Sequence, residues 1–161
     1  MSNDQTFNPE MFLNLTFNES NSTELLPVPD GEYIATSDPI TEKSFMEYDI
    51  KNGDRAGQKG RSLIVVWNIN DEGGALKTLL GRSPSVRQNI MLSISDNGDL
   101  SFGKGQNVEL GKLREALGQN GTGTPWSFAM LGGKVAKVGV KSTLSTKDQK
   151  MYTNVTKVAK I

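Results

Sequence analysis

Cysteine and histidine are both absent from the 161 residues. The first absence excludes disulfides and thiol chemistry. The second removes the commonest general base near neutral pH and the commonest zinc ligand. Any catalysis would have to run on carboxylates, lysine, tyrosine or hydroxyls, with a hard metal such as magnesium the natural helper. Asp96, Asp99 and Glu109 are the only clustered acids in the part that reads as ordered, and the two aspartates read as turn chemistry. No cofactor motif is present: the glycine-rich run Lys51 to Gly60 lacks the glycine-lysine-serine ending of a phosphate loop. Long apolar runs are also missing, as is a basic segment followed by an apolar one at the N-terminus, so the expectation is a soluble, intracellular protein with no membrane partner.

Net charge is zero but unevenly spread. Residues 1–60 hold eleven acids and four bases, and residues 61–161 hold fourteen bases and seven acids. A basic half of this kind can meet a polyanion, or be neutralised by the acidic one.

The basic half is concentrated in residues 125–161, with seven lysines against one acid, Asp148. Lys134 to Lys141 alternates, which places Ala136, Val138 and Val140 on one face of a strand and Lys137, Gly139, Lys141 and Val135 on the other. A polar turn around Lys147-Asp148-Gln149-Lys150 leads to a second strand, Met151 to Val158. Its apolar residues Tyr152, Val155 and Val158 sit three apart, which predicts a bulge that re-aims one of them. Two readings of this hairpin stay open. Lysines on a wet sheet face block unwanted strand pairing; lysines beside aromatics also bind nucleic acid.

Residues 1–27 are polar with scattered Phe7, Met11, Phe12, Leu13 and Phe17, and read as an arm, partly disordered or docking. Asn8 and Pro9 predict an N-cap and first position of a short helical turn. Such an arm could exchange between protomers and make a homo-oligomer. Residues 28–161 read as one domain. It begins with a strand from Glu32 to Thr36, then a polar excursion from Phe45 to Gly60. A central strand follows, Arg61 to Ile69, with Trp67 in the core. After a short helix, Ala75 to Leu80, comes an alternating strand, Val86 to Ile94, with Arg87 outward, and a return at Leu100 to Phe102. A glycine-rich loop then ends at an N-cap, Asn107, and a helix runs from Val108 to Leu117. The predicted core includes Tyr33, Val65, Trp67, Ile90, Leu92, Leu113, Val138 and Val140. With the two C-terminal strands, the order is mainly β: three strands, helix, two strands. That is the order of an OB-fold, a five-stranded Greek-key barrel with a helix between its third and fourth strands.

LLPVPDGEY at 25–33, VVWNI at 65–69, LLGR at 79–82, GKGQNVELGKLREALG at 103–118, PWSFAMLGGKVAKVGVK at 125–141 and the closing YTNVTKVAKI together resemble a group of small single-stranded-DNA-binding proteins of tailed bacteriophages. The likeness spans nearly the whole chain from Phe7. It implies an OB-fold that coats single-stranded DNA during phage replication or recombination in the cytoplasm of the infected bacterial host, in company with replication or recombination proteins. Many single-strand-binding proteins end in an acidic tail, whereas this chain ends in Lys157-Val-Ala-Lys-Ile161 and carries its acids at the other end.

For such a non-enzymatic, sequence-tolerant binder, the candidate residues are the cations Arg61, Arg87, Lys104, Lys137 and Lys141 and the aromatics Phe102, Trp126 and Tyr152. Trp126 reads equally well as a plug under the barrel, and Phe128 reads as core. The competing class is a protein-binding or structural phage protein without nucleic-acid binding; a metal-dependent nuclease is the weaker third.

Overall fold

The computed structural model describes residues 6–161. Among these residues the chain is mainly β, with one six-stranded antiparallel sheet and few helices. Its strands are β1 (Gly31–Ser37), β2 (Phe45–Asp49), β3 (Lys59–Ile69), β4 (Ser85–Leu92), β5 (Val135–Leu144) and β6 (Met151–Ala159). The helices beside them are α1 (Pro9–Leu13), α2 (Ala75–Leu80) and α3 (Val108–Ala116).

β3 organises the sheet. Its residues 63, 65, 67 and 69 face the core while Lys59 and Arg61 stay exposed at its start. Along one edge it pairs with β4, from Arg61 opposite Leu92 to Asn68 opposite Ser85. Its other edge is shared by two short strands, β2 opposite residues 59–63 and β1 opposite residues 67–69. The expected first strand, Glu32 to Thr36, is β1, whereas β2 forms within the stretch expected as a polar excursion, making six strands rather than five. Pro39 lies in the break, and proline has no N–H to offer a ladder. The chain crosses this gap with Asp38 N–H still donating to the Val66 carbonyl at 2.9 Å.

β1 then pairs with β5, and β5 with β6, giving the path β2-β3-β1-β5-β6 with β4 beyond β3. The sheet curls so that β4 and β6 approach each other, but no ladder among the described residues joins them and the sheet stays open. α3 contacts both of these strands. It buries Leu110 and Leu113 there. Of the eight predicted core residues, seven are buried, and Tyr33 is half-buried against the same cluster with its hydroxyl donating to the Pro29 carbonyl at 2.6 Å.

Two close approaches fix the chain path. Gly132 passes the backbone of Pro39 so tightly that a Cβ would lie 2.8 Å from the Pro39 Cα. Nearby, buried Ser37 donates its hydroxyl to the Leu131 carbonyl at 2.6 Å and accepts the Lys134 N–H at 2.9 Å. These contacts bind the end of β1 to the start of β5. Asn107 departs from its predicted role. It takes a left-handed conformation, and its side chain accepts from Ser93 N–H at 2.7 Å and donates to the carbonyls of Ser93 and Ser101. It therefore anchors the loop before α3 to the end of β4 instead of capping the helix.

The arm follows the sequence locally. Asn8 caps α1, accepting from the N–H groups of Glu10 and Met11, with Pro9 next. Residues 6–26 are exposed, Pro27 is half-buried, and Val28 is the first residue sunk into the core. Residues 1–5 of the predicted arm lie outside the described residues.

Candidate nucleic-acid interface

The two faces of β5 differ as the alternation predicts. Ala136, Val138 and Val140 are buried, and Lys137 and Lys141 are exposed. The bulge on β6 also occurs. Gly139 pairs with Lys157 but Val140 pairs with Val155, so Thr156 is the extra residue. Its consequence is directional: Val155 and Val158 both pack on the core, while Tyr152, opposite Thr143, and Lys157, opposite Gly139, turn outward.

The outer face of β5 and β6 thus carries Lys137, Lys141, Lys157 and Tyr152. Lys137 and Lys141 stand about 13 Å apart along β5 at the rise of a strand, and Lys157 lies between them on β6. Gly139 has no side chain at that centre, and the Thr156 hydroxyl lies 3.0 Å from where a Gly139 Cβ would be. Lys137 pairs with Glu32 of β1 at 3.1 Å. Among the described residues, Lys141 and Lys157 have no ion-pair partner.

Tyr152 offers an exposed ring, while its hydroxyl donates to the carboxylate of Asp148 in the turn. That hydrogen bond lowers the Asp148 pKa below its ordinary value and, with the carboxylate's charge, raises that of Tyr152. Asp148 is the one acid in the hairpin from Val135 to Ala159.

The remaining predicted residues are distributed elsewhere. Arg87 is outward on β4, separated from Lys137 by β3 and β1. Arg61 pairs across strands with Glu47 at 3.7 Å. Lys104 and the highly exposed Phe102 lie in the loop before α3. Trp126 is half-buried beside the C-terminal end of α3. The Arg114 guanidinium lies 4.1 Å from its ring centroid, Phe128 meets it edge-on at 5.1 Å, and its indole N–H donates to Gln119 at 3.0 Å. One face and the polar edge of that indole are already occupied. Phe128 packs on the core and also meets Phe45.

The chain matches no family model, no curated protein and no solved structure. The functional reading therefore rests on its own residues. Asp96 and Asp99 sit in the turn after β4, Glu109 pairs with Lys112 at 3.4 Å, and among the described residues no group of three acids, histidines or cysteines could hold a metal. No helix among them is long and apolar enough to cross a membrane.

Lys157 is a residue of the basic face that alternation alone does not single out. Its signal is present in the three-residue spacing of Tyr152, Val155 and Val158, because a bulge between the last two decides which way residue 157 points. A second surface has no such signal. On the outer side of β2, β3 and β4, Ile40, Met46, Ile64 and Val66 line a groove of about 380 Å³ with Lys43 and Arg87 beside it.

Proposed function

We propose that this protein binds single-stranded DNA without sequence preference, through the outer face of β5 and β6. The observation that carries the proposal is the grouping of Lys137, Lys141 and Lys157 with the exposed ring of Tyr152 on a face whose reverse side is core. Lysines neutralise phosphates whatever the sequence, and an aromatic ring accepts any base because every base has a π-face.

The strand pairing supports an OB-type barrel left open between β4 and β6. If β1 and β2 are taken as halves of one bent strand, the five resulting strands pair in the order that fold uses, and α3 falls between the third and fourth. Such folds commonly bind oligonucleotides. A role in phage replication or recombination inside a bacterial host, alongside other replication proteins, is the setting suggested by the sequence resemblance. The exposed apolar arm favours a second reading, a protein whose partners are other proteins only.

Anisotropy of a labelled oligothymidine, titrated across a salt series, separates the two. Binding that weakens steeply with salt is expected. Lys137→Ala with Lys141→Ala should weaken binding to all sequences alike and flatten the logarithmic salt slope by roughly 0.7 for each phosphate no longer neutralised. Lys141→Ala with Lys157→Ala makes the same test without freeing Glu32. Folded double variants that bind as tightly as the parent at low salt would remove this face as the site. A parent with no salt-dependent binding would leave the protein-only reading.

A further inference from the structure

We propose that the arm of one copy docks into the groove on the outer side of β2, β3 and β4 of a second copy. Both surfaces are exposed in the single chain, and their chemistries match.

The arm carries Phe7, Met11, Phe12 and Leu15 at 60–72% exposure. They are already arranged to present one apolar side. Asn8 holds the turn of α1, and Phe7 packs against Phe12 with ring centroids 5.6 Å apart. Exposed apolar clusters of this kind mark interaction sites. The arm is also purely acidic: no lysine or arginine occurs before Lys43, while Glu10, Glu19 and Glu24 lie within and just after the cluster.

The groove has the complementary character. Its floor is apolar, from Ile40, Met46, Ile64 and Val66, and Lys43 and Arg87 line its sides. Among the described residues, neither cation has an ion-pair partner. One acid, Asp38, also lines the groove, and its carboxylate is engaged by the side-chain amide of Asn68. Apolar side chains can fill the floor while Glu10 meets a cation at the rim.

A second copy is the occupant because the chain's own arm does not take the site. The stretch from Asn14 to Pro27 can extend to roughly 45 Å at about 3.3 Å per residue, enough to span a small domain. Even so, the arm stands off the sheet and the groove stays open. Donor and acceptor are different surfaces, so each protomer offers one of each. Association then closes as an exchanged pair or continues as a row.

Sedimentation of the full chain without nucleic acid tests this independently of DNA binding. The parent should show a mass that rises with concentration between micromolar and near-millimolar protein. Met11→Ser with Phe12→Ser should raise the concentration for half-association at least tenfold; these residues are exposed, so the body keeps its fold. Arg87→Glu and Glu10→Lys should each weaken self-association by several-fold, and mixing the two single variants should restore it, because one arm then meets the reversed groove of the other. Lys43→Glu replaces Arg87→Glu in the mixture if the latter loses its circular-dichroism signature. A parent that stays monomeric, association indifferent to the arm substitutions, or a mixture that is not restored would each overturn the proposal. So would protease protection of the arm that is already complete in dilute monomer, which would mean that the arm fills its own groove.

Discussion

β5 and β6 form one hairpin with two different ends. At its root, Val135–Val140 is flanked by β1 on one side and β6 on the other, and Ala136 and Val138 are fully buried. Beyond Val140, β1 has ended and the strands pair only with each other; Leu144, Met151 and Tyr152 are about half exposed. The root belongs to the core, whereas a two-stranded ribbon alone is at best marginally stable in water. Local ties hold the outer end: Ser142 N–H donates to Asp30 at 2.8 Å, the hydroxyls of Ser142 and Thr153 meet at 3.0 Å, and the turn closes through Ser145 N–H and the Lys150 carbonyl at 2.8 Å. Burial is thus concentrated at the root, while the proposed contacts are divided, Lys137 and Lys157 at the root and Lys141 and Tyr152 at the outer end.

Substitutions can separate those parts. The largest effect is expected at Leu131, fully buried just before the root. Leu131→Ala should cost about 2–5 kcal/mol of folding stability in a denaturant titration, through reduced burial and the cavity left behind. A loss below about 1 kcal/mol would mean that the root is less tightly packed than the geometry indicates.

At the outer end the prediction reverses. Tyr152→Ala should leave the unfolding midpoint nearly unchanged while weakening oligothymidine binding by about 1–3 kcal/mol, with the salt slope retained, as when a stacking platform is removed. If stability falls and affinity does not, Tyr152 serves the fold and not the ligand.

The smallest effect concerns pH. Asp148 has a lowered pKa in the folded chain, so its contribution is present above its ordinary value near 3.8 and fades as pH falls through the lower folded value. Tyr152 has a raised one, so its contribution is full below its ordinary value of 10.0 and fades as pH rises through the higher folded value. Protection of the amides at residues 145–150, taken relative to the intrinsic exchange rate at each pH, should therefore be greatest between those limits. Tyr152→Phe should flatten that dependence while leaving amides at Ala136 and Val138 as protected as before. An unchanged profile in the variant would show that the hydroxyl does not hold the turn.

Where the pattern of side chains alone decided the outcome, the sequence was readable. Alternation separated Ala136, Val138 and Val140 from Lys137 and Lys141, and the spacing of Val155 and Val158 revealed a bulge. The continuous apolar run around Trp67 placed it in the core, where its indole N–H finds Gln88 at 2.9 Å. Features made by distant partners were not readable. β2 has no buried residue of its own, and its FMEYD sequence becomes a strand because β3 offers an edge. Tyr48 lies across Gly60, where a Cβ would come 2.3 Å from its ring, so the last glycine of the polar excursion is a packing position. The Arg114 cover on Trp126 depends on where α3 ends in space, which no local pattern records. The likeness of individual sequence blocks likewise could not show that the sheet would stay open.

The pairing of β1 with β5 also bears on the order of folding. Gly31 faces Val140 and Thr36 faces Val135, so this ladder joins distant parts of the chain, whereas β3 and β4 are near neighbours in sequence. Long loops make such pairings slow to find, because their closure entropy is spent before the ladder can repay it. β3 and β4 can therefore assemble early, and the β1–β5 ladder is expected late. Until it forms, β1 and the basic hairpin both expose unpaired strand edges, and this is the interval in which the chain is most open to pairing with the wrong neighbour.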